Sequence, residues 1–363
     1  MPKGVLRSVS KRARAALPAL LVLAAGFLFS GAPASAASVR LLETGSTLLY
    51  PLFNLWVPDY GKAHPNVQIT TQGTGSGTGI AQAISGIAQI GASDAYMSNA
   101  QMKKNPGILN IPLAISAQMV NYNIPGLNGR HLKLNGPVLA GIYSGKVKYW
   151  DNAQIKALNP GVKLPHDLIV PVHRTDGSGD TFIFSQYLSF STPSWANSAG
   201  YGTTISWPPV QGGIGAVGNP GMVNASKTTP YSIAYIGVSF RNATTAAKLG
   251  EALLENRAGR FLKLTPETVS AAVKVTAAKT PADERLSLIF APGPQSYPII
   301  NYEYAIVKKD QSSPAVAKAV KAFLDWAISR KGGNAPHYLR AVGFVALPPA
   351  IAKLSHKQIA EIH

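Results

Sequence analysis

Apolar residues recur with helical spacing in the segment from about residue 48 to residue 63. The positions i, i+3, i+4, i+7, i+8 and i+11 are occupied by Leu49, Leu52, Phe53, Trp56, Val57 and Tyr60. This pattern predicts an amphipathic helix that Thr47 opens as the N-cap and that His64-Pro65 ends.

The following segment reads as a strand, a glycine-rich loop and a helix. Residues 67–72 alternate between apolar and polar side chains, as a strand does, and residues 73–79 read Gly-Thr-Gly-Ser-Gly-Thr-Gly. The face of the next helix is predicted to contain Ile80, Ala83, Ile84 and Ile87. Near the C-terminus, Ser313-Pro314 predicts the start of another helix, with Gly332 after its end.

Two longer apolar passages, residues 115–124 and 297–307, are typical of buried strands. If both cross between two domains, domain I comprises residues 37–121 and 300–363, and domain II comprises residues 122–299. Two buried strands of a single domain are the alternative. Short helices alternate with short β-rich runs through most of the chain, which predicts α/β layers.

The first 36 residues predict an export signal, which makes periplasmic localisation an expectation. Five basic residues precede the apolar run 15–29, and Ala34-Ser35-Ala36 offers a small-residue cleavage site. We therefore expect the mature chain to begin near Ala37. A membrane anchor is the alternative, and the apolar run is short for a membrane span of ~20 residues. The sequence has no cysteine, so it has neither disulfides nor a thiol for a lipid anchor.

The chain is strongly basic. Its formal net charge is +18, and removing the five basic residues of the signal leaves 18 − 5 = +13. Lysine and arginine are spread thinly and are not clustered with aromatic residues, which argues against nucleic-acid binding. An anionic ligand and a surface adapted to acidic surroundings remain as explanations of the charge.

Three glycine- and hydroxyl-rich loops lead into predicted helix starts. They begin at Thr44, Gly73 and Asp176, and each offers free N–H groups, a partial positive charge and hydroxyl donors. No nucleotide-binding glycine motif, no Gly-x-Ser-x-Gly hydrolase turn and no metal-ligand spacing of histidines occurs. The sequence therefore predicts an anion-binding protein without catalytic, metal or cofactor sites.

Charged side chains flank these loops. Arg174 precedes the third loop and is suited to bidentate capture of an oxyanion, while Asp176 is placed to hold the guanidinium flat. Asp94 follows a short predicted strand. Its carboxylate would repel sulfate but accept a hydrogen bond from the hydroxyl that phosphate retains.

The loops, in this order, resemble those of the phosphate-specific substrate-binding proteins of bacterial ABC phosphate transporters. The resemblance rests on four segments, which begin at Gly45, Gly73, Gly91 and His173. It implies an α/β fold of the type II-like periplasmic-binding-protein kind, with two lobes, a hinge and the ligand in the cleft between them.

The resemblance also implies the residues that bind phosphate and the partners of the protein. The implied contacts come from Thr47, Leu48, Ser76, Asp94, Arg174, Ser178, Gly179 and Asp180, with Asp176 orienting Arg174. Asp180 stands where many members have threonine, so we expect only its backbone N–H to serve and its carboxylate to turn toward helix-start donors. Inorganic phosphate and the permease subunits of an ABC importer are the implied partners, and a monomer is expected. Lipoprotein members carry a cysteine at the cleavage point, which this chain lacks.

The sequence leaves two rival functions open. One is a secreted phosphatase or phosphoesterase on the same scaffold, and the other is a receptor for sulfate, molybdate or another tetrahedral oxyanion. Asp94 argues against the second.

Overall fold

The structure is a computed structural model that describes residues 38–363. The predicted export signal and its cleavage site at Ala37 lie outside the described residues. Within residues 38–363, no helix combines the length and the apolar character needed to cross a membrane.

The described chain alternates helices with strands. The α-helices, numbered α1 to α13, are Tyr50–Ala63, Ser76–Ser85, Asn99–Lys104, Gly136–Tyr143, Ala153–Leu158, Gly179–Ser191, Pro193–Ala196, Gly218–Thr228, Arg241–Ala246, Pro266–Thr276, Pro314–Ile328, Pro336–Val342 and Pro349–Ala360. Short 3-10 helices lie at Val238–Phe240 and Ala277–Lys279.

The strands, numbered β1 to β12, are Val39–Gly45, Val67–Gly73, Ile90–Ser93, Ile108–Asn123, Lys133–Leu134, Val170–Arg174, Ile214–Ala216, Ser232–Gly237, Gly250–Glu251, Leu253–Glu255, Phe261–Leu262 and Ile300–Lys308. Nine of them form one sheet with the order β2-β1-β3-β12-β4-β8-β6-β7, and β9 also pairs with β4. Strands β11, β10 and β5 form a separate small sheet. The predicted α/β class is confirmed.

Strand β4 connects two groups of strands in the large sheet. Its first part, up to Ala117, pairs antiparallel with β12, and its second part, from Gln118, pairs antiparallel with β8. The two apolar passages predicted as strands are therefore confirmed as β4 and β12. The domain boundaries near residues 121 and 300 remain a prediction. The point at which β4 changes its partner from β12 to β8 lies close to residue 121, and its neighbour on β12 is Ile300.

The helix predicted at residues 48–63 is α1, and its aromatic face packs on α11. Ring centroids of Tyr60 and Phe323 lie 5.0 Å apart, and those of Trp56 and Trp326 lie 6.2 Å apart in an edge-on arrangement. Ser313 caps α11 through Val316 N, as expected from the sequence. Burial of these large rings supplies much of the hydrophobic stabilisation on this side of the sheet.

Three details of the local predictions are wrong. Leu49 and not Thr47 is the N-cap of α1, which has no side-chain cap, and the backbone N–H of Leu49 donates to Ser46 Oγ at 2.9 Å. Helix α2 ends at Ser85, which leaves Ile87 exposed beyond it rather than on its apolar face. Helix α11 ends at Ile328, four residues before Gly332.

Glu43 and Glu284 are buried carboxyl groups that form no salt bridge within residues 38–363. Glu43 on β1 accepts a hydrogen bond from Thr71, and burial raises its pKa to about 8. Glu284 accepts from Ser355 Oγ at 2.9 Å and from Gln358 Nε2 at 2.6 Å, and burial likewise raises its pKa to about 8. Each group is therefore protonated in the folded protein at neutral pH.

These two groups predict that the protein loses stability as the pH rises. A raised folded-state pKa gives stability that is fully present below the unfolded-state pKa and is lost as the pH approaches the folded value. The free energy of unfolding should fall between about pH 5 and pH 8, by on the order of 1–3 kcal/mol for each group. Thermal unfolding of the wild type and of Glu284→Gln across this range measures the effect.

Glu284→Gln should weaken the pH dependence, because an amide resembles the protonated acid and does not titrate. Glu361→Gln is the matched control, since Glu361 is exposed and should leave the dependence unchanged. Equal slopes for the wild type and Glu284→Gln would show that Glu284 is not a buried neutral acid.

Candidate functional site

The three predicted loops meet at one place in the structure. They connect β1 to α1, β2 to α2 and β6 to α6, so each runs from the end of a strand to a helix start. The backbone N–H of Gly77 in the second loop donates to Gly177 O in the third at 2.8 Å. First-turn N–H groups of a helix lack partners within that helix, so the meeting point is rich in backbone donors.

Close approach of these loops requires glycine. A Cβ added at Gly179 would lie 2.3 Å from Asp94 Oδ2 and 2.4 Å from Ser76 Oγ. A Cβ added at Gly77 would lie 3.0 Å from the Cα of Gly177. The glycines thus let backbone of the third loop contact side chains and backbone of the first half of the chain.

Arg174, the last residue of β6, is the buried cation of the site, with a side chain that is 1 % exposed. Its Nε donates to Asp176 Oδ1 at 2.7 Å, and its Nη2 donates to Asp176 Oδ2. Its Nη1 donates to Asp180 Oδ2 at 2.9 Å. The orientation of Arg174 by Asp176, expected from the sequence, is present.

The charges within this cluster shift one another. Burial alone would lower the pKa of Arg174, but the carboxylates of Asp176 and Asp180 outweigh burial and raise it. Burial would raise the pKa of Asp176, but Arg174 outweighs that effect and lowers it. Arg174 and Asp176 therefore form a lasting ion pair.

The expected orientation of Asp180 is wrong. Its carboxylate does not turn to the start of α6, where Ser178 Oγ instead accepts from Thr181 N at 3.1 Å. The carboxylate of Asp180 accepts from Arg174, and it also accepts from Gln118 Nε2 at 3.0 Å and from Asn219 Nδ2 at 2.6 Å. The buried cation outcompetes the helix start, since an unpaired buried guanidinium is far more costly than one unused helix donor.

Asp94 follows β3 and lies next to Gly179 in the same cluster. It accepts hydrogen bonds from Ser46 Oγ and, at 3.4 Å, from Ser76 Oγ, while its own N–H donates to Ser76 Oγ at 3.2 Å. Only 2 % of Asp94 is exposed. The structure therefore brings together all the predicted side chains, while Leu48 packs its side chain on Gly237 and leaves only its backbone for a ligand.

Glu303 is a member of the site that sequence reasoning missed. It lies on β12 at a register shift against β4, and its Oε1 accepts from Ser116 and from Asn301 Nδ2 at 3.1 Å. Its carboxyl lies near that of Asp94, and its Oε2 is buried without a hydrogen-bond partner among residues 38–363. Burial raises the pKa of both groups, that of Glu303 to about 7, and the proximity of Glu303 raises that of Asp94 further. Burial and the repulsion between the two acids therefore favour a state in which they are not both ionised.

Two neutral residues, Asn219 and Gln118, were also missed. Asn219 donates to Asp180 and, at 3.0 Å, to Thr47 Oγ1, so it joins the third loop to the first. Gln118 bonds the backbone as well as the carboxylate of Asp180. Neither residue lies in a glycine loop, so the loop motifs gave no signal for them. Within residues 38–363, no cluster of three or more His, Asp or Glu side chains is placed to hold a metal ion.

Comparison with known proteins identifies the family. Residues 31–331 match the PBP superfamily domain. The chain is 38 % identical over 336 residues to the phosphate-binding protein PstS of Methanocaldococcus jannaschii, which covers 88 % of this chain and 85 % of that protein. The chain belongs to the PstS family within the PBP superfamily.

A second relative and a solved structure agree with this assignment. PstS of Xylella fastidiosa is 33 % identical over 318 residues, covering 87 % of this chain and 84 % of its own. The fold is that of a putative phosphate ABC transporter substrate-binding protein from Clostridium perfringens, solved with bound phosphate. The TM-score is 0.61 at 17 % identity, over 85 % of this chain and all of that one. The predicted periplasmic-binding-protein fold class is confirmed, whereas the hinge and the site residues stay predictions.

Gly179 offers a structural test of the contact between the loops. Gly179→Val should separate the third loop from Asp94 and Ser76, because the Cβ position already overlaps both. If the loops belong to separately moving domains, small-angle scattering should give a radius of gyration larger than that of the wild type by on the order of 1 Å.

Gly129→Val is the control, since a Cβ at Gly129 meets no atom within 4 Å. An unchanged radius for Gly179→Val, with native secondary structure retained, would contradict the predicted movement of the two domains.

Proposed function

We propose that this protein binds inorganic phosphate and delivers it to the membrane permease of an ABC importer. One observation carries the proposal: a buried arginine held by a carboxylate lies where three helix starts converge beside a second, opposing carboxylate. Relatives named phosphate-binding protein PstS support the same conclusion.

Each contact that the site offers matches a feature of phosphate. Backbone N–H groups at Thr47, Leu48, Gly179 and Asp180 and the hydroxyls of Thr47, Ser76 and Ser178 supply donors to the anion oxygens. Arg174 supplies the positive charge. Asp94 accepts the proton that phosphate retains at neutral pH, while burial beside Glu303 keeps the acid pair from carrying two charges.

We further infer that the protein acts outside the cytoplasm and closes around its ligand. The basic and apolar pattern of residues 1–36 supports export, and the change of partner along β4 supports a crossing between domains near residues 121 and 300. Closure would bury the anion and form the surface that a permease recognises.

The rival functions receive less support. The relatives reported above are named as binding proteins, not as phosphatases. Sulfate carries no proton to satisfy Asp94, so a sulfate receptor would have to place two negative groups against each other.

Removing the cation tests the anion site directly. Arg174→Ala should weaken phosphate binding by about 2–5 kcal/mol, because a buried oxyanion loses its charged partner. Titration calorimetry at neutral pH measures the loss. Arg174→Lys should recover part of it, since the charge returns without the bidentate geometry.

Arg241→Ala is the matched control, because Arg241 also pairs with a carboxylate, that of Glu251, but at a partly exposed place. Binding by Arg174→Ala that equals binding by Arg241→Ala would place Arg174 outside the ligand site.

Asp94 decides between phosphate and sulfate. An unpaired buried polar group costs ~1–3 kcal/mol, and a charged one costs more, so the wild type should strongly prefer phosphate. Asp94→Asn offers an amide that can turn its NH₂ toward an unprotonated oxygen. The phosphate-to-sulfate affinity ratio should therefore narrow at least about tenfold, or ~1.4 kcal/mol.

Competition calorimetry with both anions measures this ratio. Asp310→Asn is the control, because Asp310 is exposed and its substitution should preserve the ratio. If Asp94→Asn keeps the wild-type ratio, discrimination resides in other residues.

A further inference from the structure

The carboxylate of Asp180 lies beside Arg174, two of whose N–H groups make no hydrogen bond to residues 38–363. Of the five N–H groups of a guanidinium, two bond Asp176 and one bonds Asp180, which leaves two for a ligand. A phosphate that contacts Arg174 and the N–H groups at the start of α6 is therefore adjacent to Asp180.

The hydrogen bonds to Asp180 leave room for one more donor. Oδ2 accepts from Arg174 and Asn219, whereas Oδ1 accepts only from Gln118. Because a carboxylate oxygen has two lone pairs, Oδ1 can accept one further hydrogen bond. The N–H donors that suit an unprotonated phosphate oxygen lie elsewhere around the site, so a ligand oxygen facing Oδ1 needs a proton.

The charges around Asp180 also favour a protonated ligand. The titratable and charged groups that face it are Arg174 on β6, Asp176 after β6, Asp94 after β3, Glu303 on β12 and Tyr235 on β8. Arg174 is the cation among them. Because Asp176 already balances Arg174, a ligand with two negative charges would meet Asp180 and the Asp94–Glu303 pair with only neutral N–H and O–H donors and no further cation to offset them.

Resting on the proposed function, we propose that Asp180 makes the site selective for H₂PO₄⁻, the two-proton form of inorganic phosphate. The bound state holds two protons between the phosphate oxygens and the carboxylates of Asp94 and Asp180, one for each acceptor. The single charge of this form also reduces repulsion within the cluster. Asp180 is thus a specificity-determining residue that excludes HPO₄²⁻.

The pH dependence of phosphate affinity tests the proposal. Above about neutral pH, free phosphate loses its second proton, so the wild-type dissociation constant for total phosphate should rise about tenfold for each further pH unit. Asp180→Asn should show a rise of less than about threefold from pH 6 to pH 8.5, because a carboxamide can donate to an unprotonated oxygen. Titration calorimetry with inorganic phosphate measures both.

Asp94 and Glu303 remain in the variant, but Asp180 raises the pKa of both, so the slopes are read together with a direct count of protons. Asp180→Ser gives a second, smaller neutral side chain, and Asp283→Asn, in the partly exposed pair with Arg285, is the matched control that should keep the wild-type slope. Calorimetry of the wild type alone, in two buffers of different ionisation enthalpy at about pH 8, should show uptake of one proton per phosphate bound.

Parallel slopes for the wild type and both Asp180 variants, or no proton uptake by the wild type at that pH, would overturn this inference and leave the proposed function standing. Failure of the wild type to bind phosphate even at about pH 6, where the two-proton form prevails, would overturn the proposed function itself.

Discussion

The buried guanidinium of Arg174 is the constraint on which the site depends. A cation removed from water is tolerated only when carboxylates and hydrogen bonds replace its hydration. Asp176 and Asp180 supply these contacts, and Asp180 in turn requires Gln118 and Asn219. Since Asn219 also bonds Thr47, one charge at the end of β6 fixes groups from β4, α6, α8 and the loop after β1.

The same burial explains why the site can contain more carboxyl groups than cations. Removal from water favours the neutral form of an acid, so Asp94 and Glu303 can lie near each other without both being ionised. Glu43 and Glu284 show this behaviour away from the site, where each is held by neutral donors. Protons on buried acids therefore belong to the folded structure of this protein, both within the cluster around Arg174 and away from it.

Features encoded by neighbouring residues were predictable from the sequence. The glycine loops, the strands β4 and β12 and the Arg174–Asp176 pair each depend on residues close together in the chain. The contacts of Glu303 and Asn219 were not predictable, because they join positions far apart in the sequence whose pairing is set by the sheet. Local rules also gave the wrong answer where such contacts compete with them, as when Asn219 bonds Thr47 and Arg174 draws the carboxylate of Asp180.

Gln118 shows how the sheet and the charge of the site are linked. It is the residue at which β4 leaves β12 and begins to pair with β8, and its N–H donates to Ile299 O at 3.1 Å. Its side chain bonds the backbone and the carboxylate of Asp180. Because one residue makes both sets of contacts, a rotation of the two groups of strands about this point would change the hydrogen bonds of Asp180. The pairing of β4 within the sheet and the hydrogen bonds of Asp180 therefore depend on the same residue, Gln118.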